Sequence, residues 1–238
     1  MTRLSVNLNK VALIRNSRGG NMPDLVQVAV DCEKFGAEGI TIHPRPDQRH
    51  ARYSDVQDLR KVVQTELNIE GYPTDKFIDV VIKSKPDQVT LVPDEPGALT
   101  SDHGWDTVKK KEFLSDIVKK LRSHGIRTSL FIDPDPKWVE GAALIGADRV
   151  ELYTGPYAYH YKSDPAAAIK SFHLTSLTAR SLGIGLNAGH DLNLDNLYYF
   201  QSVIVDLLEV SIGHALICDA LYLGLEKSIH AYLEKLKK

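Results

Sequence analysis

The sequence has little cysteine. Only Cys32 and Cys218 occur in 238 residues. Each sits in a helical-looking segment with no second cysteine nearby. That excludes a paired-cysteine zinc or redox motif and fits a reduced compartment with inertly packed thiols. A long apolar run is missing too, so no segment is extended enough to cross a bilayer. Met1 to Lys10 lacks the apolar centre of a signal peptide. The expectation is a cytoplasmic protein with no membrane partner. An excess of one charge is also absent, the formal net charge being −2. That balance argues against nucleic acid as the main partner. No low-complexity segment or proline-, glycine- or serine-rich linker divides the chain, so one domain over residues 1–238 is expected. A hydrophobic content of 43% suffices for a sizeable core.

What is present is a repeated phrase: an amphipathic helix, a glycine, a short apolar strand, then a polar residue. Leu25, Val28, Ala29 and Cys32 form the i, i+3, i+4, i+7 stripe of a helix buried on one side. Pro23 stands near its start and Gly36 near its end, as helix openings and closings favour. Leu114, Ile117, Val118 and Leu121 repeat the stripe, with Gly125 after them. Eight strands are expected, near 3–8, 39–43, 67–70, 87–92, 126–132, 148–152, 184–187 and 206–210, with a long helix over about 214–236 closing the chain. Strands that alternate with helices make a parallel sheet. Eight such units in this length predict a closed (β/α)8 barrel; an open doubly wound sheet is the alternative.

In such a barrel the chemistry sits where the strands end. Those positions carry Asn7, Asn9 and Lys10, then His43 and Arg45, Glu70, Asp133, Glu151, and Asn187 followed by His190, and finally Ser211, Gly213 and His214. Together they make a ring of acids, imidazoles and cations, suited to proton transfer on a small anion. The segment GITIHPRPDQRH from Gly39 packs His43, Arg45, Arg49 and His50 behind one strand. It reads as a phosphate-binding loop stiffened by Pro44 and Pro46, or as a solvated basic loop. Glu70 reads equally as a general base or an ion-pair partner. GIGLNAGHD from Gly183 is no dinucleotide fingerprint, because its glycines lead into a strand rather than out of one. Gly213 at the start of a helix is a candidate anion site or a plain tight turn. Asp94 to Gly104 reads as a mobile loop, either a lid or passive surface. A metal site is disfavoured, since the histidines lie far apart with no ligand spacing. A Schiff-base role would fall to Lys10 and is disfavoured further.

The motifs VNLNKVALIRNSRGG from Val6, GITIHPRPDQRH from Gly39, NIEG from Asn68, LVP from Leu91, NAGHDLN from Asn187 and SIGHALI from Ser211 span nearly the whole chain. As a set, the chain resembles the pyridoxine 5'-phosphate synthase family. The resemblance implies a (β/α)8 barrel with a few extra helices, a homo-octamer built from dimers, and no metal or organic cofactor. It implies condensation of 3-amino-2-oxopropyl phosphate with 1-deoxy-D-xylulose 5-phosphate, giving pyridoxine 5'-phosphate, inorganic phosphate and water. His43 and Glu70 would shuttle protons and His190 would donate one. Asn7, Arg18, Arg45, His50, Thr100, Gly213 and His214 would contact substrate or phosphate. The chain departs from the family in carrying Asn9-Lys10 where Asp-His is usual, and Asp191 where glycine is common. Lys10 is then expected to bind a phosphate rather than move protons, with Asn9 and Asp191 among the substrate contacts. Asp191 would raise the basicity of His190 or face solvent.

Overall fold

The computed structural model describes residues 1–94 and 101–237. Eight strands close into one barrel: β1 (Arg3–Asn7), β2 (Gly39–Ile42), β3 (Glu66–Gly71), β4 (Gln88–Leu91), β5 (Arg127–Ile132), β6 (Arg149–Tyr153), β7 (Gly185–Gly189) and β8 (Leu207–Ile212). All pairs are parallel, and β1 closes the ring against β8, with Leu4 opposite Val210. The closed sheet is the expected one, and the open alternative is excluded. The observed strands lie within two residues of the expected limits, and β7 runs on to Gly189.

The helices are α1 (Asn9–Asn16), α2 (Leu25–Lys34), α3 (Tyr53–Val62), α4 (Asp75–Ser84), α5 (Lys111–Ser123), α6 (Pro136–Ile145), α7 (Gly155–Tyr161), α8 (Pro165–Leu182), α9 (Leu197–Val203), α10 (His214–Leu223) and α11 (Leu225–Lys235). Their ends follow from local chemistry. Asp24 caps α2 by accepting from the amides of Val26 and Gln27, and Asp135 and Asp164 cap α6 and α8 in the same way. Gly146 and Gly183 end α6 and α8 in left-handed conformations of φ 86° and 68°, which glycine adopts without a side-chain clash. The single long terminal helix expected from sequence is two helices. Gly224, at φ 81° and ψ 155°, cannot continue the turn and separates α10 from α11.

Alternation along the strands sorts side chains into two layers. Leu4, Val6, Ile40, Ile42, Leu67, Ile69, Val150 and Leu152 are fully buried in the main apolar cluster that includes residues of the surrounding helices. Each such burial contributes roughly 1.5–3 kcal/mol. The alternating positions are polar and bond to one another inside the ring. Ser5 meets Thr41 at 2.7 Å, Asn68 donates to Thr41, and Thr90 donates to Asn68 at 3.1 Å and to Glu151 at 3.3 Å. On α2, Leu25, Ala29 and Cys32 are buried as the stripe predicts. Cys218 differs from expectation: it lies on the exposed side of α10, while Leu216 and Ile217 take the buried positions. No described helix is long and apolar enough to cross a membrane.

Candidate active site

The C-terminal mouth of the barrel is assembled from the ends of β1, β2, β3 and β7. His43 follows β2 and is buried; its Nδ1 lies 4.0 Å from Oε2 of Glu70, near the end of β3. Asn7 ends β1 and donates to that same carboxylate oxygen at 3.3 Å. Its own Oδ1 accepts from the Asn9 amide at 3.0 Å, and the Asn9 side-chain oxygen accepts from the His43 amide at 2.9 Å. The start of α1 is thereby stitched to the site. Gly213 lies close against Asn7, whose Cβ would stand 3.0 Å from a β-carbon added there. This tight approach explains a glycine at the N-terminus of α10.

Arg45 is buried and pairs with Asp94, which also accepts from the Ser101 hydroxyl. His190 follows β7 with φ 82°. Its ring packs against Tyr153 and Phe131, with centroids 5.5 and 5.8 Å away. Thr154 holds this turn by donating its hydroxyl to the carbonyls of Gly189 (2.7 Å) and His190. Gly189 is needed because a β-carbon there would fall 2.3 Å from Oε1 of Glu151.

The electrostatics are unlike those of a solvated surface. Burial pushes the imidazole of His43 well below its ordinary range, and the charge of Arg45 adds to this. Burial with Arg45, Arg49 and Lys10 holds His50 down at about 4. His190 is lowered by burial, against the opposing pull of Asp191 and Asp94. The imidazoles are thus uncharged bases at neutral pH. Burial raises the Glu70 carboxyl to about 7, with Asp94 pushing the same way and Asn7 and Arg45 pulling back. Glu151 rises to about 8, from burial and then the neighbouring Glu70. A carboxyl near neutrality beside uncharged imidazoles can both take and give protons.

The mutual influence of these groups brings His43, Glu70, His190, Arg45, His50 and Lys10 into one neighbourhood. Lys10 is half-buried on α1 and forms no hydrogen bond or ion pair with a described residue. Asp191 is exposed, at φ 58°, and both pulls on His190 and lines an adjoining cavity of about 530 Å³ with Tyr153, Tyr159 and Asp102. Arg18 lies exposed on the turn after α1, and His214 is exposed on the first turn of α10, near Cys218. No described contact brings either into the cluster. Thr100 and Gly97 lie outside the described residues. The far end of that loop is fixed by Gly104, which packs against the Ile132–Asp133 backbone. Among the described residues no three His, Cys, Asp or Glu side chains are grouped as metal ligands would be.

Asp94 escaped the sequence reading, giving no signal beyond following LVP. Glu151 was read there as one acid of the ring at the strand ends but was given no role, because polar positions inside a barrel look alike in sequence. Arg15, Asn16 and Asp55 were given no role either.

Fold and site together define a (β/α)8-barrel protein whose mouth gathers cations, uncharged imidazoles and a near-neutral carboxyl. The chain belongs to the family described as pyridoxal phosphate biosynthesis protein PdxJ, whose sequence profile matches residues 4–238. A protein of Cytophaga hutchinsonii named pyridoxine 5'-phosphate synthase is 61% identical over 238 residues, covering all of both chains. One of Bacteroides fragilis with the same name is 62% identical over 232 residues, 98% of each chain. Among solved structures, a thiamine phosphate pyrophosphorylase from Pyrococcus furiosus superposes with a TM-score of 0.63 at 13% identity, over 99% of this chain and 95% of that one. A 3-keto-L-gulonate-6-phosphate decarboxylase from Vibrio cholerae gives 0.66 at 13% identity, over 99% and 97%. These last two share the fold.

Proposed function

We propose that the chain condenses 3-amino-2-oxopropyl phosphate with 1-deoxy-D-xylulose 5-phosphate to pyridoxine 5'-phosphate, releasing inorganic phosphate and water. The observation that carries the reading is the near-neutral Glu70 carboxyl 4.0 Å from the uncharged His43 imidazole, among cations. The amine of one substrate attacks the ketone of the other, and loss of water gives an imine. Enolisation, loss of phosphate, addition of water and an aldol-type closure follow, and expulsion of two further waters from the closed ring makes it aromatic. Nearly every step moves a proton, and each placed acid or base contributes about 10²- to 10⁴-fold.

In this reading His43 and Glu70 pass protons between them. His190 is neutral in the empty site, so it donates only once substrate phosphates have raised its affinity for a proton. Lys10, Arg45 and His50 bind phosphate, Arg45 exchanging Asp94 for the ligand. Asn7, Asn9, Arg18, Thr100, Asp191, Gly213 and His214 complete the contacts. The N-terminus of α10 has no side-chain cap, which leaves its first amides to an anion.

The protein is further proposed to act in the cytoplasm as a homo-octamer built from dimers. Exposed Leu13, Ile14 and Met22 near α1, and Leu221 and Tyr222 on α10, support association. Light scattering during size-exclusion chromatography gives the assembly state directly. The activity is tested by supplying both substrates and following pyridoxine phosphate absorbance and phosphate release. Turnover of both is expected; folded protein that binds the substrates and releases neither product would be a metabolite sensor.

A further inference from the structure

We infer that α1 is a template for the loop between β2 and α3, with Asn16 and Arg15 as positioning residues for His43, Arg45 and His50. This rests on the function proposed above. The loop is gripped at both ends by asparagines seven positions apart on α1, two turns along one helix face. Asn9 accepts from the His43 amide at 2.9 Å. Asn16 points its amide nitrogen at the carbonyls of Gln48 (3.5 Å), Arg49 (3.1 Å) and His50 (2.7 Å).

The Asn16 oxygen accepts from Arg15 Nε at 3.2 Å and from Arg52 Nη2 at 2.7 Å, which fixes the amide's orientation. Arg15 is 2% exposed. It forks onto both oxygens of Asp55 at 2.7 and 2.9 Å and reaches the His50 carbonyl at 3.3 Å. Asp55 in turn accepts from the Arg52 amide at the start of α3. A buried arginine–carboxylate fork holds its geometry far more tightly than a surface pair. Within the loop, Arg45 donates its amide to the His43 carbonyl and Gln48 to that of Arg45. Carbonyls that a surface loop would leave to water are therefore held by one helix.

His50 is the reporter of this clasp. Arg45, Arg49 and Asp47 face it from its own loop, His43 lies ring to ring at 6.1 Å, and Lys10 faces it from α1. Its Nδ1 is buried with no described partner. A loosened loop would admit water and let these charges drift away, and the imidazole would regain protons.

The test is histidine Cε1 NMR titration of ligand-free protein, comparing the parent with Asn16→Ala. His50 should move up from about 4 toward the ordinary imidazole value. The value of kcat/KM should fall about tenfold to a hundredfold with the thermal midpoint nearly kept. An unmoved His50 would overturn the inference. Should Asn16→Ala not fold, amide exchange in the parent decides. The Gln48 amide, bonded to the Arg45 carbonyl inside the clasped loop, should exchange far more slowly than the Gly20 amide, which bonds to no described residue, and equal rates would overturn the clasp. A parent without synthase turnover would refute the proposed reaction, yet leave titration and exchange to judge the clasp.

Discussion

The two ends of the barrel use the same residue types to opposite effect. At the N-terminal floor, Glu66 pairs with Arg3 at 3.0 Å and with Arg127, and Arg149 lies 3.9 Å from Glu66 and 3.8 Å from Glu209. Arg127 also donates to Gln88, and Arg149 to Asn187. Cations there face acids, and the one carboxyl that burial and Glu66 raise, Glu209 at about 8, is enclosed 3.8 Å from Arg149 rather than open to a substrate. At the mouth, the imidazoles are stripped of charge and Lys10 is left without an ion-pair partner among the described residues. Matched charge locks a structure; unmatched charge and displaced protonation are what a substrate can complete.

The largest test of that contrast is a pair of substitutions. Glu70→Gln should lower kcat about 10²- to 10⁴-fold with no loss of unfolding free energy, in turnover and urea titrations. Glu66→Gln should do the reverse. It takes the acid from Arg3 and Arg127 and one of two from Arg149, and should cost about 1–2 kcal/mol, while kcat per folded molecule is unchanged. Equal loss of activity in both would erase the distinction between the ends. Next comes Lys10→Ala, which should raise KM about tenfold or more and lower kcat less, as loss of a charged contact to phosphate predicts. A fall in kcat at constant KM would move Lys10 into the chemistry.

The smallest effect concerns pH. Burial raises Glu70, Glu151 and Glu209 to about 7, 8 and 8 from the ordinary 4.5, so the fold keeps protons that the unfolded chain releases. Their contribution therefore shrinks as pH rises from the ordinary carboxyl range to about 8. The lowered His43 and His50 act oppositely: their contribution is full above the ordinary 6.5 and is lost as pH falls through their depressed values. Glu151→Gln should thus gain stability relative to the parent between about pH 5 and pH 9, read from urea midpoints. A constant difference between the two would show that Glu151 holds its proton no more tightly in the fold than in the unfolded chain.

Most of the fold was legible because its signals are local. The stripe Leu25, Ala29, Cys32 and the glycines after the helices depend on neighbours a few residues away. Gly224 was the exception: a lone glycine inside an apolar helical pattern reads as tolerated, and only the packing of α11 makes it a break. The site was legible where a residue type is unusual for its place, as with His43, Glu70 and His190 behind apolar strands. Asp94 and Asn16 were not, because their partners, Arg45 and the Gln48–His50 carbonyls, lie 49 and 32–34 residues away in the chain. Nor does sequence tell an exposed His214 from a half-buried His190, since both follow a glycine at a strand end.

Gly189 and Glu151 occupy one shared volume: any methyl at the first displaces the carboxyl of the second. The constraint runs one way: alanine at 189 requires the acid to shift or shorten, whereas the acid can shorten first and leave the glycine in place. Alanine at 189 should therefore be found only beside a shorter or displaced residue at 151.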